Sequence, residues 1–421
     1  MGQGPLPAPI MNRFQYRGGS DSVKAAAVSV QGYRPEMEDK HTIAFDVHET
    51  HKNVMIFGVY DGHGGHSASD FLQHHIVPAI RALENPFDED QIKRALLELD
   101  QKFLGTNCPE PGSTACFAIA KRCEGSNNVH FKIVNVGDSR AMVVRPDGSW
   151  EALSFDHKPH TEIEAARIQN AHGFVRNQRV DGNLAVSRAF GDAQYKSRTG
   201  SPEEHKVIAV PDFKDYVARP GETILICCDG VFECASWRRV AEFLQTRVYG
   251  FEPATPRVAS GLLSRGDDMP EGEEEDNEDE QTEDRERPGA PADAMDRALS
   301  LDPAEVAWDL IKASIDTGSR DNHTAIVVIV GDGSDYLNHY PAEEWIPGPY
   351  HKDAGNPTFQ RAYVADLEMN GYSLEEQMDK IIQFEQANGL PTSIPTSTQP
   401  AAAASFDQAI IRHMLELAHQ Q

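Results

Sequence analysis

Residues 129–150 read "VHFKIVNVGDSRAMVVRPDGSW". Two apolar runs, 129–137 and 141–145, stand three residues apart, and "RPDGSW" (145–150) has the composition of a hairpin turn. No helical stretch separates them. Parallel neighbours need a crossover of about a dozen residues or more, so strands this close together point to antiparallel sheets rather than a doubly wound one. The same signal recurs in both directions along the chain. "AAAVSV" (25–30), "VMIFGVY" (54–60), "STACFAIA" (113–120), "ETILICC" (222–228) and "HTAIVVIV" (323–330) have strand length, and most are rich in β-branched residues.

Helices interleave at a few points. "DEDQIKRALLELDQKF" (88–103) sets Ile92, Leu96, Leu99 and Phe103 on one stripe. "TEIEAARIQNAHG" (161–173) opens with the capping-box pair Thr161 and Glu164 and stops at Gly173. "DPAEVAWDLIKASIDTG" (302–318) starts at Asp302, Pro303 and Glu305 and stops at Gly318. The expectation is an α+β fold built on antiparallel sheets.

Composition limits the function. The chain has 421 residues, 39% apolar and 25% charged, as ordinary globular proteins do. A net charge of −27 argues against nucleic acid as a partner, because phosphate neutralisation needs Lys/Arg clusters. Much of that charge is local: residues 267–286 hold thirteen acids against one Arg. This low-complexity run reads as a disordered insert, about 265–298, either a regulatory segment or a solvated loop. The six cysteines form no CxxC pair and no secreted spacing, which fits free thiols in a reducing compartment. A cytoplasmic location, with the nucleus also open, is the expectation. No run approaches about 20 apolar residues, so no transmembrane helix is expected. Gly2 raises N-myristoylation, but Leu6 stands where that motif wants Ser or Thr, and a Gly/Pro-rich tail is the plainer reading.

The last part of the chain differs in kind. "SLEEQMDKIIQFEQANG" (373–389) and "SFDQAIIRHMLELAHQQ" (405–421) read as two capped amphipathic helices joined by a Pro/Ser/Thr/Ala linker. Packing against the main domain and service as a docking module are both open for them.

Carboxylates collect at element ends. "YRPEMED" (33–39) gives Arg34, Glu38 and Asp39; "YDGHGGH" (60–66) gives Asp61, Gly62 and His63; "ICCDGVFE" (226–233) gives Asp229 and Glu233. "SRDNHTAIVV" (319–328) gives Asp321, and "NVGDSRAMVV" (135–144) gives Asp138. Taken singly, each has a plain structural reading, since Asp before Gly at a strand end is an ordinary turn residue. Together they change the reading. If the sheets gather these ends, Glu38, Asp61, Asp229 and Asp321 repel one another unless divalent cations intervene, and oxygen-only ligands select Mg²⁺, Mn²⁺ or Ca²⁺.

"GYRPEMED", "VYDGHGG", "GSTA", "NVGDSRA", "DHKP", "RVDGNLAVSRAFGD", "CCDGVFE" and "DNHTAIVV" follow in that order. This series resembles the metal-dependent protein phosphatases of the protein phosphatase 2C type, over residues 22–331. The resemblance implies a central β-sandwich of two antiparallel sheets flanked by α-helices. It also implies two Mn²⁺ or Mg²⁺ ions, with a third, weaker ion beside them. By matching position, Asp61 would bridge the two ions and the Gly62 carbonyl would bind the first. Glu38, Asp229 and Asp321 would bind the second. Arg34 would hold the substrate phosphate, Asp39 would orient the attacking water and His63 would protonate the leaving oxygen. Asp138 would belong to the third site. The family shows Asp where this chain has Glu233, which puts that third site in doubt.

The domain reading is a tail over 1–21, a catalytic domain over 22–331 and a helical extension over 332–421. The expected function is hydrolysis of phosphoserine and phosphothreonine esters in phosphoprotein substrates, by a monomer. The rival is a non-catalytic scaffold of the same fold that binds a partner through the tail or the insert. A cation-buffering acidic protein is the third reading, without any D-x-D-x-D-G loop to support it. Substrate choice would fall to residues 173–200, a polar, Gly-bearing segment suited to a flap beside the cleft. His66, His74, His75 and His157 read as surface or structural residues, and Cys227 and Cys228 as core.

Overall fold

The computed structural model describes residues 4–197, 200–252, 290–348 and 356–371, with 380, 381, 383, 386 and 387. The chain begins with strands β1 (Arg13–Gly19), β2 (Val23–Val30), β3 (Lys40–Ala44), β4 (Val54–Tyr60) and the short β5 (Gly62–His63). Helices α1 (Ser67–Arg81) and α2 (Glu89–Leu104) follow. Next come β6 (Gly112–Ser113), β7 (Ala115–Arg122), β8 (Val129–Val136), β9 (Arg140–Val144) and β10 (Trp150–Ala152). Helix α3 (Glu162–Asn170) leads into β11 (Val175–Arg176), β12 (Arg179–Val180) and β13 (Phe190–Gly191). Then follow β14 (Asp212–Ala218), β15 (Thr223–Cys227), α4 (Trp237–Tyr249), α5 (Ala294–Ser300) and α6 (Pro303–Thr317). The last elements are β16 (His323–Val330), α7 (Tyr336–His339), β17 (Glu343–Ile346) and α8 (Pro357–Met369).

A seven-stranded sheet of order β10-β9-β15-β16-β2-β1-β17 faces a five-stranded sheet of order β14-β8-β7-β4-β3. Pairing within both is antiparallel, but the two runs of 129–150 do not pair with each other: β8 lies in the five-stranded sheet and β9 in the seven-stranded one, and the hairpin is β9 with β10 across the turn 145–150. The period-two geometry of a strand explains the layers. In β2, Val23, Ala25 and Ala27 point between the sheets, where they meet Phe57 and Val59 of β4, Phe131 of β8 and Ile326 of β16. Ala26, Val28 and Val30 point the other way, onto α4 and α6 through Phe243, Leu244, Leu310 and Ile311. Both faces of β2 are therefore buried, and its sequence is a run of small and apolar residues rather than an alternation. On the far side, α1 and α2 cover the five-stranded sheet with Leu72, Ile76, Ile92 and Leu96. The architecture is an α-β-β-α sandwich.

The structure differs from the sequence reading in several places. Residues 13–19, assigned to a tail, form β1, paired to β2 and β17, and Leu6 and Ile10 are buried. The strand was masked by its polar residues, which are buried in pairs: Arg17 with Asp302 at 3.1 Å and with Glu344 at 3.0 Å. Residues 294–298, assigned to the insert, belong to α5, whose Ala294 and Ala298 pack with the α4 side of the core. The acidic run 267–286 lies outside the described residues. The expected capping box of α3 does not form: Thr161 Oγ1 donates to the Lys158 carbonyl at 3.0 Å instead of capping, and Glu164 turns inward to Arg167, Arg188 and Ser187.

The extension after 331 is more than two appended helices. β17 completes the edge of the large sheet, and α8 brings Phe359, Tyr363 and Leu367 onto Phe14 and Trp345. Of the predicted helix 373–389, the described residues 380, 381, 383, 386 and 387 are helical, and Ile381 joins the same cluster. The predicted helix 405–421 and Gly2 lie outside the described residues.

Candidate active site

Register brings the acids to one end of the sandwich. Cys227 of β15 pairs with Ala325 of β16, so the turn Asp229–Val231 after one strand lies beside Asp321 before the other. Cys227 also pairs with Arg140 of β9, which carries in Asp138. In the facing sheet Lys40 pairs with Tyr60, so Glu38 and Asp39 lie next to Asp61. Asp61 is anchored through its backbone: Thr114 N–H donates to its carbonyl at 2.9 Å and its own N–H donates to Thr114 Oγ1 at 3.3 Å.

Two glycines allow the close approach. A Cβ on Gly62 would lie 2.4 Å from the Glu38 carbonyl oxygen and 2.8 Å from Ser69 Oγ. A Cβ on Gly230 would lie 2.1 Å from the Asn322 carbonyl oxygen, so only Gly lets the Asp229 turn press against the Asp321 loop.

The electrostatics follow from this crowding. Burial, reinforced by Asp229, Asp39, Asp321 and Asp138, pushes Asp61 well above the usual carboxylate range. Burial with Asp138 and Asp321 pushes Asp229 up to about 8, against the pull of Lys158 and a hydrogen bond with Asp61. Asp39 is pushed up to about 7 by burial and by Asp321. Glu38 is raised by burial, which outweighs the Gly65 N–H that donates to its Oε1. Asp321 is raised as well, although Arg34 Nη2 sits 2.7 Å from its Oδ2, because burial outweighs that one pair. Arg34 itself is half exposed, at the rim.

Asp39, Asp61 and Cys228 each place one potential ligand atom within 4.8 Å of the others. Asp39 Oδ2 is buried without a protein partner. These observations fit a cation. Burial drives the Cys228 thiol well above its usual range, so it remains a neutral S–H and leaves the ligand set to oxygens. Oxygen donors of this kind suit Mg²⁺ or Mn²⁺.

The other expected residues stand as follows. His63 Nε2 lies 2.7 Å from Asp192 Oδ2. Burial lowers the His63 pKa, but Asp192 outweighs it and holds the imidazole above its usual value. Asp138 is buried, with its Oδ2 2.7 Å from Lys158 Nζ. Glu233 is turned to the loop before Asp321, where its Oε2 accepts from Ser319 Oγ at 2.7 Å and Arg320 N–H at 2.8 Å.

Four participants escaped the sequence reading. Asp192 follows the quoted "AFG", and nothing local ties it to a histidine 129 residues away. Asn322 stood beside Asp321 without a role, yet its side chain ties down the segment carrying Arg34 and Glu38: it donates to the carbonyls of Gln31 and Glu36 and accepts from Glu38 N–H. Lys158 stood inside "DHKP" without a role. Cys228 was assigned to the core, and it is buried there, but its sulfur borders the acids. His157 is structural as expected: Gly137 N–H donates to its Nδ1 at 2.9 Å.

The family model for protein phosphatase 2C matches residues 23–264. The chain belongs to the protein phosphatase 2C family. It is therefore a serine/threonine protein phosphatase, a metal-binding hydrolase. "Probable protein phosphatase 2C 3" of Paramecium tetraurelia is 34% identical over 274 residues, which cover 61% of this chain and 88% of that protein. "Protein phosphatase 2C homolog 2" of Schizosaccharomyces pombe is 32% identical over 254 residues, covering 58% of this chain and 67% of that one. Among solved structures, a phosphatase from a pathogenic strain of Toxoplasma gondii aligns with a TM-score of 0.59 at 26% identity, covering 76% of this chain and 95% of that one. The family match stops short of β16, so Asp321 joins the site through the β15–β16 register rather than through that match.

Proposed function

We propose that this phosphatase hydrolyses phosphoserine and phosphothreonine esters of phosphoproteins with two Mg²⁺ or Mn²⁺ ions. Asp61 and the Gly62 carbonyl would hold one ion, and Asp61, Glu38, Asp229 and Asp321 the other. Bound there, such ions supply positive charge that acidifies a water and neutralises the phosphate dianion. The single observation that carries this reading is the enclosed set of mutually repelling acids, with Asp229 raised to about 8 and Asp61 well above its usual range, which Arg34 and Lys158 do not match in number among the described residues.

The remaining residues divide the work. Arg34 stands at the rim with a guanidinium that can leave Asp321 and fork onto two phosphate oxygens. Asp39 has a buried, unpartnered Oδ2 beside Asp61, placed to accept a proton from the attacking water. His63 gives Nε2 to Asp192, so its Nδ1 is the nitrogen that can deliver a proton to the leaving alkoxide. Asp192 favours the protonated ring, as a general acid requires.

The test is p-nitrophenyl phosphate hydrolysis with and without EDTA. Activity should require added Mn²⁺ or Mg²⁺ and return when metal is restored after chelation. Turnover that ignores the chelator would overturn the reading.

A further inference from the structure

Lys158 stands where a third ion would have to bind. Its Nζ lies 2.7 Å from Asp138 Oδ2 and 3.7 Å from Asp156 Oδ2. Asp156 already has its own partner, since Arg140 reaches it through Nε at 3.0 Å and Nη2 at 2.9 Å. The Lys158 ammonium therefore answers mainly to Asp138, a carboxylate that also faces Asp61 and Asp229.

This placement is fixed by the fold. Lysine side chains are usually free to wander, but here the backbones of both partners are clamped. His157 N–H donates to the Gly137 carbonyl at 3.0 Å, and Gly137 N–H donates back to His157 Nδ1 at 2.9 Å. Asp138 and Lys158 are the next residues along on the two sides of that exchange. Ser187 N–H holds the His157 carbonyl at 3.0 Å, and Thr161 N–H holds the Lys158 carbonyl at 3.2 Å. Glu233 has its Oε2 committed to Ser319 and Arg320, and Asp229 belongs to the central cluster.

We infer that Lys158 is the resident cation of the Asp138 face and excludes a third divalent ion, so that the enzyme takes two. The inference rests on the two-ion reading above. A divalent ion sits about 2.1 Å from each oxygen it binds. An ion on Asp138 Oδ2 would displace the ammonium from its hydrogen bond or lie against a like charge in a partly enclosed site. The Glu233 that would complete its shell is turned elsewhere. The fixed charge also has a consequence for the core pair, because it offsets Asp138 and leaves two ions to neutralise the remaining acids.

The experiment counts ions instead of turnovers. Mn²⁺ binding to the full chain is followed by equilibrium dialysis and by the electron paramagnetic resonance signal of free Mn²⁺. Wild type should bind two ions. Lys158→Met, which keeps the length of the side chain and removes its charge, should bind a third at least tenfold more tightly than wild type does. Lys158→Gln, which can still donate to Asp138, serves if the Met variant folds poorly and should show the same gain. The double variant Lys158→Met, Asp138→Asn should return to two. Three ions in wild type, or no gain in either single variant, would overturn this inference while leaving the two-ion reading intact. No bound Mn²⁺ in wild type would overturn both.

Discussion

The molecule buries acids in two opposite ways. On α3, Glu164 is enclosed by Arg167, 2.6 Å from its Oε2, by Arg188, 2.8 Å from its Oε1, and by Ser187 Oγ at 2.6 Å. Burial alone would raise its pKa, but Arg188 and Arg167 outweigh it and bring Glu164 down to about 2. In the cleft, Asp61, Asp229 and Asp39 are enclosed with one another, and burial drives them up. The difference lies in where the compensating charge comes from. Around Glu164 it is built into the chain, so the cluster is complete as folded and ties α3 to Ser187 and Arg188. In the cleft most of it is left out, so the cluster is incomplete until cations arrive. His63 and Asp192 fall between, an acid whose partner can itself lose its proton.

Four substitutions bear on this contrast. The largest effect is expected at the centre of the incomplete cluster. Asp61→Asn should bring phosphatase activity below detection while raising the melting temperature of the metal-free protein at pH 8, because an amide does not have to hold a proton or carry a buried charge there. Lower stability in the metal-free state would show that the acids are satisfied already. His63→Gln should slow hydrolysis of phosphoserine peptides by about 10²–10⁴-fold, and p-nitrophenyl phosphate much less, since that leaving group needs no proton. Equal losses on the two substrates would place His63 outside proton transfer. Glu164→Gln should cost about 3 kcal/mol of stability, read from denaturant midpoints, by leaving buried guanidinium charge unpaired. A neutral outcome would mean that the complete cluster is not structural.

The smallest effect concerns a lone acid. Asp366, buried in α8, is pushed up to about 7 by burial, with Asn12 and Lys40 pulling the other way. Its unfolded value is about 3.9. The folded state therefore holds the extra proton between these values, and its contribution to stability is full below about 4 and lost as pH rises to about 7. Asp366→Asn should raise the melting temperature by a few degrees at pH 8 and leave it unchanged at pH 4. A uniform shift at both would rule out titration of this group.

What could be read from the sequence follows from burial chemistry. β2, β4 and β16 are buried throughout, so the chain writes them as apolar runs. Strand β1 and its edge neighbour β17 carry Arg13, Gln15, Arg17 and Glu344, which are covered as polar pairs, and no local pattern marks them. Helix α8 was missed for a related reason: Gln360 and Asp366 sit on its inner face beside Phe359 and Tyr363 and blur the stripe. In the site, the acids announce themselves because each lies next to a glycine or at a strand end. Their partners do not. Asp192, Lys158 and Asn322 act across gaps of 129, 20 and 284 residues, and only the folded sheets reveal whom they meet.

The most direct measurement is thermal unfolding of the chelator-treated chain at pH 8, with and without Mn²⁺. The raised acids make the metal-free fold lose stability as pH climbs toward 8, so it should melt lower there than at pH 6. Mn²⁺ at about 100 times its dissociation constant should add about 2.7 kcal/mol and abolish the difference between the two pH values. A melting temperature that Mn²⁺ does not move would mean that the cleft acids need no ions, and the account of the site would be wrong.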